Sequence, residues 1–375
     1  MPSSRIVGNL HGIGFSFEVD REDVHQYARE HLAPMVGEGA PSEPPLRVIS
    51  TLRWVDGQPW PRAQWGVADQ RWTRVDRDLY LGFSELLWLR VDDLRDLVLH
   101  LRAAEGQALA LHGTFFFRLG NSSLTDWLRR GWVGRRVSDF RRRRFPTLVS
   151  YLVYYPLWWV AETERGFHPI HAGAVATPTG GVVLAGASGV GKSTLATALA
   201  GEDDMRLLSD SFVFVRGRDI YAVPEPILLD RNALEWLESR RQILQPIPHR
   251  YMLERRGYRV VREKCQARTV ARLVLFPQRG PEWICRRLSP QQAWFRLSAA
   301  NLMVNDLRRY YALAAAWEQL EPRGLVCQRE RAMEALLRET PAFELQIPPG
   351  TPSATVVARI RELLHSLPGF SEGGG

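Results

Sequence analysis

Lysine is nearly missing from this chain. Only Lys192 and Lys264 carry an ammonium, although lysine and arginine together number 49 among 375 residues. The formal charge of +8 invites a nucleic-acid reading, yet an arginine-biased composition produces that charge without any acidic partner. A lysine kept against such a bias marks a place that needs a compact point charge. Cysteine is also scarce: Cys265, Cys285 and Cys327 show no CxxC or CxxH spacing. That argues against a disulfide framework and a structural zinc site, and fits a reducing, cytoplasmic setting. The start, MPSSRIVGNLHGIGF, lacks the charged opening and unbroken apolar core of a signal peptide. The most apolar stretch, 147–162, is too short to span a bilayer and is interrupted by Pro156. It reads as a buried or interfacial helix, and no membrane partner is expected. No repeat of 20 to 50 residues, RNP-type aromatic pattern or zinc finger occurs, which weakens the case for nucleic acid.

Apolar residues make up 45 % of the chain and charged ones 24 %, enough for a globular protein of two ordinary domains or of one large domain with an extension. Residues 1–145 read as a β-rich, tryptophan-rich α+β domain, a candidate substrate-binding region. Phe15, Phe17 and Val19 alternate as on a half-buried strand, and 46–54 and 108–119 look like strands. The "DG" at 56–57 signals a turn and 38–45 is the clearest loop. A helix is expected over 92–104, a second after Asn121-Ser122-Ser123, and a connecting helix over 146–165. The run Arg141-Arg142-Arg143-Arg144 follows arginine pairs at 129–130 and 135–136. It is either an anion-binding surface for an acidic peptide, a phosphate or RNA, or a solvated helix face.

From about 166 the pattern becomes α/β, defining a domain over 166–348. A strand at 182–185 leads into a glycine turn and a helix, then short strands at 207–209, 212–215 and 220–223. Strands at 270–276 and 283–287 precede Ser289-Pro290-Gln291-Gln292, where Ser at the N-cap, Pro at N1 and Gln at N3 open a helix. Helices near 303–320 and 328–338, a strand at 342–347 and a helix at 353–366 follow. Residues 349–375 are expected to form a C-terminal helix and a disordered SEGGG tail.

Gly186-Ala187-Ser188-Gly189-Val190-Gly191-Lys192-Ser193-Thr194 contains a full Walker A match. Its glycines let backbone N–H groups turn inward around phosphates at a helix N-terminus. Lys192 would bridge the β- and γ-phosphates, and the Ser193 hydroxyl would ligand Mg²⁺. Asp210, in Leu207-Leu208-Ser209-Asp210-Ser211, lies 18 residues after Lys192, the length of one helix and the next strand. It would sit at the strand's C-terminal end beside the phosphates, where open α/β sheets place ligands. His171, in Pro169-Ile170-His171-Ala172, is a third candidate, one strand and hairpin before the loop.

The segments HPIHAGAV, GGVVLAGASGVGKSTLATALA, LLSDSFVFV and IYAVPEPILL together resemble the nucleotide-binding core of the HPr kinase/phosphorylase superfamily. They are most similar to the related kinases encoded near peptide natural-product pathways, lasso peptides among them. The resemblance covers about 165–230 and extends to about 345. It implies an α/β P-loop kinase domain, like the HPr kinase C-terminal domain, that uses ATP and Mg²⁺. The implied reaction moves the γ-phosphoryl group to a serine or threonine hydroxyl of a peptide or small protein, and the N-terminal region with its arginine run would hold an acidic segment of that substrate. By position, Asp210 would be the base and a metal partner with Ser193, and His171 a nearby polar positioner. An arginine ahead of a strand recurs in the superfamily near the phosphates, which makes Arg268 a candidate transition-state cation. Ser211, Glu225 and Lys264 are candidates for the acceptor side. The family's paired aspartates are Asp210-Ser211 here, and the ELRG-type segment of true HPr kinases is absent. HPr itself is therefore not the expected substrate. The superfamily's frequent oligomers imply a homo-oligomer. A small-molecule kinase for a sugar or amino acid, and a P-loop ATPase or binding module without an acceptor, remain the alternatives.

Overall fold

The computed structural model describes residues 4–36, 45–57, 71–91, 94–103, 108–117, 141–248 and 255–367. Nearly all of the loop over 38–45, the helix after Asn121-Ser122-Ser123, the arginine pairs at 129–130 and 135–136 and the SEGGG tail lie outside them. The chain divides into two compact units, Met1–Arg165 with Arg309–Gly324, and Gly166–Arg308 with Leu325–Gly375.

The first unit carries β1 (Ser4–Leu10), β2 (Ile13–Val19), α1 (Glu22–His31), β3 (Leu46–Asp56), β4 (Thr73–Asp76), β5 (Leu79–Leu81), β6 (Glu85–Trp88), β7 (Leu97–Ala103) and β8 (Leu109–Phe117). The strands form one sheet in the order β1-β2-β3-β8-β7-β6-β5-β4. Phe15, Phe17 and Val19 are all buried on β2, as their alternation predicts. The helix expected over 92–104 is not there, because the described part of that segment carries β7. Its apolar residues at 94, 97, 98, 99 and 101 suit either period, and antiparallel pairing with β6 and β8 decides the outcome. Leu97, Leu99 and Leu101 then face one way and Val98 the other, all four buried.

The apolar stretch forms helix α2 (residues 145–165), with π-type turns at Ser150–Tyr154 and Ala161–Arg165. It is a core element: Tyr151, Leu152, Tyr154, Tyr155 and Trp158 lose essentially all exposure. The Leu152 carbonyl accepts the Ser50 hydroxyl, and Tyr310 donates its hydroxyl to the buried Glu162 carboxylate. In the arginine run, Arg141 is committed to structure, pairing with Asp56 at 3.2 Å and lying 5.0 Å from the Phe117 ring. Arg142 and Arg143 are exposed. Among the described residues no helix is long and apolar enough to cross a membrane.

The second unit is a mixed α/β layer structure. Its strands are β9 (His168–Ile170), β10 (Ala172–Thr177), β11 (Gly180–Ala185), β12 (Arg206–Ser209), β13 (Val213–Arg216), β14 (Asp219–Ala222), β15 (Ile227–Leu229), β16 (Leu244–Pro246), β17 (Arg256–Val260), β18 (Arg268–Arg279), β19 (Ile284–Leu288) and β20 (Ala342–Ile347). Its helices are α3 (Lys192–Ala200), α4 (Arg231–Leu237), α5 (Pro290–Met303), α6 (Asn305–Glu318), α7 (Leu325–Glu339) and α8 (Ser353–Ser366), and the unit boundary falls inside α6. The main sheet runs β12-β10-β11-β18-β14-β13-β9, and β20 joins β18 and β19. The long β18 is shared: its first residues pair with β14 and its last six with β20. The remaining strands form a small sheet, β15-β17-β16.

Because successive side chains on a strand point to opposite faces, β11 feeds two cores. Val182 and Leu184 pack with Leu195 and Leu199 of α3 and Ile360 of α8. Val183 and Ala185 pack with Leu297 of α5 and Leu336 of α7. The capping box at Ser289 forms as its sequence implies, with Gln292 N–H donating to Ser289 Oγ at 3.2 Å and Ser289 N–H to Gln292 Oε1 at 3.0 Å.

The approach of β11 to β18 leaves no room for a side chain at Gly181, where a Cβ would lie 2.4 Å from Thr269 Cγ2. Gly181→Val should therefore destabilise the protein by about 1–3 kcal/mol, as overpacking does. Urea unfolding checks this, and an unchanged midpoint would contradict the close pairing.

Candidate functional site

The glycine segment 186–194 joins the end of β11 to the start of α3. Gly189 and Gly191 take φ values of +86° and +95°, a region open to glycine and costly for residues with a Cβ. Those two positions allow the chain to curl and then enter α3 directly, with Lys192 as the helix's first residue. Lys192 is 5 % exposed and donates from Nζ to the carbonyls of Gly186 and Ala187, both at 2.8 Å. Burial lowers its pKa to about 8, against the opposing pull of the Asp210 charge.

Asp210 follows β12 directly and is 3 % exposed. Its carboxylate accepts the Ser211 hydroxyl at 3.2 Å and is hydrogen-bonded by Ser193. Burial raises its pKa to about 6, although the Ser193 and Ser211 hydroxyls and the Lys192 charge all favour the ionised form. In both groups desolvation outweighs the attraction between them.

His171 sits between β9 and β10, its ring 5.2 Å from that of Phe212. Its backbone N–H donates to Asn301 Oδ1 at 2.9 Å, and Asn301 in turn meets Met333 Sδ at 3.2 Å. Neither ring nitrogen has a partner in standard hydrogen-bond geometry, and both are buried. Burial, then the Lys192 charge, lowers the ring's pKa to about 3, with the Ser211 backbone favouring the proton only weakly. The imidazole is therefore neutral at pH 7.

These groups line one cleft of about 510 Å³ together with the glycine segment. Two oxygen donors, Ser193 Oγ and the Asp210 carboxylate, lie within hydrogen-bond reach of each other. Such a pair suits Mg²⁺, which takes one or two protein oxygens and fills its shell with water and phosphate oxygens. Among the described residues no cluster of three or more His, Cys, Asp or Glu side chains forms an all-protein metal cage. A second cavity, of about 540 Å³, lies in the first unit beside Arg77, Arg90, Arg95 and Trp88. Its lining also carries the Asp76 and Asp78 carboxylates, but no lysine and no hydroxyl side chain, so it does not repeat the grouping of the first cleft.

The other sequence candidates fall differently. Ser211 is in the cleft. Glu225 is crowded deeply by protein while keeping a partly accessible edge, and burial together with the Asp306 and Asp210 charges raises its pKa well above the usual range. Lys264 is committed elsewhere, donating to the Glu202 carbonyl at 2.7 Å just past the C-terminus of α3. Arg268 does not reach the glycine segment. It begins β18, whereas Leu275 is the residue level with Leu184 at the glycine segment, so Arg268 lies roughly 25 Å away along the strand. There it pairs with Asp219 at 2.8 Å and lies over Tyr221. Besides Lys192, the cations that line the cleft are Arg279, at the opposite end of the same strand, and Arg255. For Arg279 the reason is the parallel direction of β11 and β18, which brings the C-terminal end of β18 to the glycine segment.

No family model matches the chain, and no curated protein matches it. Among solved structures, the Hpr(Ser) kinase/phosphatase from Coxiella burnetii is similar over 52 % of this chain and 95 % of its own, at 10 % identity and a TM-score of 0.25.

Because burial lifts Asp210 from its ordinary 3.8 to about 6, the folded protein holds that proton more tightly than the unfolded chain does. The resulting stabilisation is complete below about pH 4 and is lost as pH rises through about 6. Asp210→Asn cannot ionise, so it should gain about 2–3 kcal/mol relative to wild type between about pH 4 and pH 7. Urea melts across that range measure the gain; a difference independent of pH would rule out a buried, ionising carboxylate.

Proposed function

We propose that this chain is an ATP- and Mg²⁺-dependent phosphotransferase that moves the γ-phosphoryl group to a serine or threonine hydroxyl of a peptide or small protein. The observation that carries the reading is the convergence of Lys192, Ser193, Asp210 and His171 on one cleft at the start of α3. Backbone N–H groups of the glycine segment and the α3 N-terminus suit a polyphosphate. Lys192 is free to exchange its two carbonyl partners for phosphate oxygens, bringing a cation to the transferring group. Mg²⁺, when held by Ser193 and Asp210, neutralises charge on the phosphate oxygens.

Asp210 is suited to take the proton of the acceptor hydroxyl. As that O–H bond breaks, the acceptor oxygen bonds to the γ-phosphorus and the bridging bond to the β-phosphate breaks, releasing ADP. The proton rests on the Asp210 carboxylate, which burial in the metal-free protein makes more basic than an exposed aspartate. His171 is neutral and carries a ring nitrogen of each kind, one donor and one acceptor. It is suited to orient the acceptor hydroxyl without adding charge.

Transfer from γ-labelled ATP to peptide and small-molecule acceptors tests the reading. Asp210→Asn should slow transfer by about 10²–10⁴-fold, the usual contribution of a general base. Wild-type-like transfer by that variant would remove Asp210 as the base, and label released only as inorganic phosphate would favour an ATPase. In the wild type kcat/KM should rise with pH as Asp210 ionises near 6 and fall as Lys192 loses its proton near 8.

A further inference from the structure

Strand order fixes the sequence of groups along the cleft. Strands β12, β10, β11, β18 and β20 lie side by side; β10 runs against the other four. One edge of the sheet therefore presents, in turn, Asp210 after β12, His171 before β10, the glycine segment after β11, Gln278 near the end of β18, and Ile347 at the end of β20. Neighbouring strands are about 4.8 Å apart, so Asp210 and Ile347 stand roughly 10 Å to either side of the β11 position.

The two sides differ in chemistry. On the Asp210 side the cleft is titratable and hydroxylic. On the β20 side it is lined by Ile347, Pro348 and Thr351, which face Asn232, Ala233 and Trp236 of α4 across the same cavity. Trp236 donates its indole N–H to the Thr351 carbonyl at 2.8 Å, which fastens α4 to the segment after β20. Ala233, Trp236 and Ile347 also pack on the core beneath. Asp230 is at the margin, occupied as the N-cap of α4, where it accepts the Ala233 N–H at 2.8 Å. This wall is preformed and combines the apolar surface of Ile347, Pro348, Ala233 and Trp236 with the Asn232 amide, and it is flanked on β18 by Gln278 and Arg279.

We propose that the nucleoside of the bound triphosphate rests on this wall, between α4 and the segment Ile347–Thr351, on the far side of the glycine segment from Asp210. The assignment rests on the nucleotide reading above and adds a polarity to it. With the γ-phosphoryl group at Asp210 and the middle phosphates on the glycine segment, the other end of the ligand has only the β18–β20 direction to follow. There a flat, weakly polar base finds apolar surface, as ligand sites usually provide.

Titration calorimetry with Mg²⁺, using ATP and inorganic tripolyphosphate as separate probes, tests the wall independently of catalysis. Ala233→Trp, which fills the wall, and Asn232→Trp, at an exposed position of the same helix, should each weaken ATP by about tenfold or more. Both should leave tripolyphosphate unchanged, because it has no nucleoside to displace. Unaltered ATP binding in both variants overturns the assignment, as does an equal loss for ATP and tripolyphosphate in variants whose thermal melts match wild type. Failure of the wild type to bind either probe would instead refute the nucleotide reading on which the assignment stands.

Discussion

Lys192 and Asp210 share a space from which water is largely removed, and everything else in the cleft is arranged around that fact. An isolated buried charge costs several kcal/mol, and each group offsets part of the other's cost, as their hydrogen-bonding neighbours do. Even together they are incompletely compensated: burial pulls each toward its neutral form more strongly than the partner holds it charged. The carbonyls of Gly186 and Ala187 and the hydroxyls of Ser193 and Ser211 complete the set. His171, the next titratable group, is kept neutral by the same desolvation and by the nearby ammonium. A triphosphate with its divalent cation supplies charge of both signs to such a place, which is why a phosphoryl-transfer reading suits it.

The scaffold that holds this arrangement is the sharing of β18. Its first residues complete the sheet with β14, while its last six carry β20 into position beside the cleft. One strand thus supplies a structural ion pair at one end, Arg268 with Asp219, and the cleft residues Gln278 and Arg279 at the other. The Gln278 amide is itself anchored on Glu344, which also holds Arg286 and Arg296. The floor of the cleft is therefore tied to β19, β20 and α5.

What could be read from the sequence was what local pattern determines. The glycine segment, the Ser289 cap, β20 and α8 are specified by neighbours a few residues apart, and they form with the expected bounds. Asp210 was legible because one helix and one strand is a fixed distance. Arg268 was misplaced because lying just ahead of a strand does not say which edge of the sheet that position reaches; register with β11 does, and register is a tertiary fact. The segment at 92–104 failed for a related reason, since its apolar spacing suits both periods and only pairing with β6 and β8 chooses. The wall at Ile347–Thr351 carries no motif at all. Prolines, a glycine and a threonine become meaningful only when the parallel ladder of β18 and β20 sets them beside α4.

The chain leaves the second unit inside α6 and returns to it at Leu325. During vectorial synthesis, then, the glycine segment, Asp210 and α4 emerge well before β20 and α8. Domains are built as their residues appear, but here a nascent chain has a cleft with one bank. Its β18 edge stays unpaired over Val274–Arg279 until β20 arrives, and an open strand edge is a template for wrong partners. The interval between those two strands includes the excursion through Arg309–Gly324, so the open edge of β18 must wait for more than sixty further residues before β20 covers it.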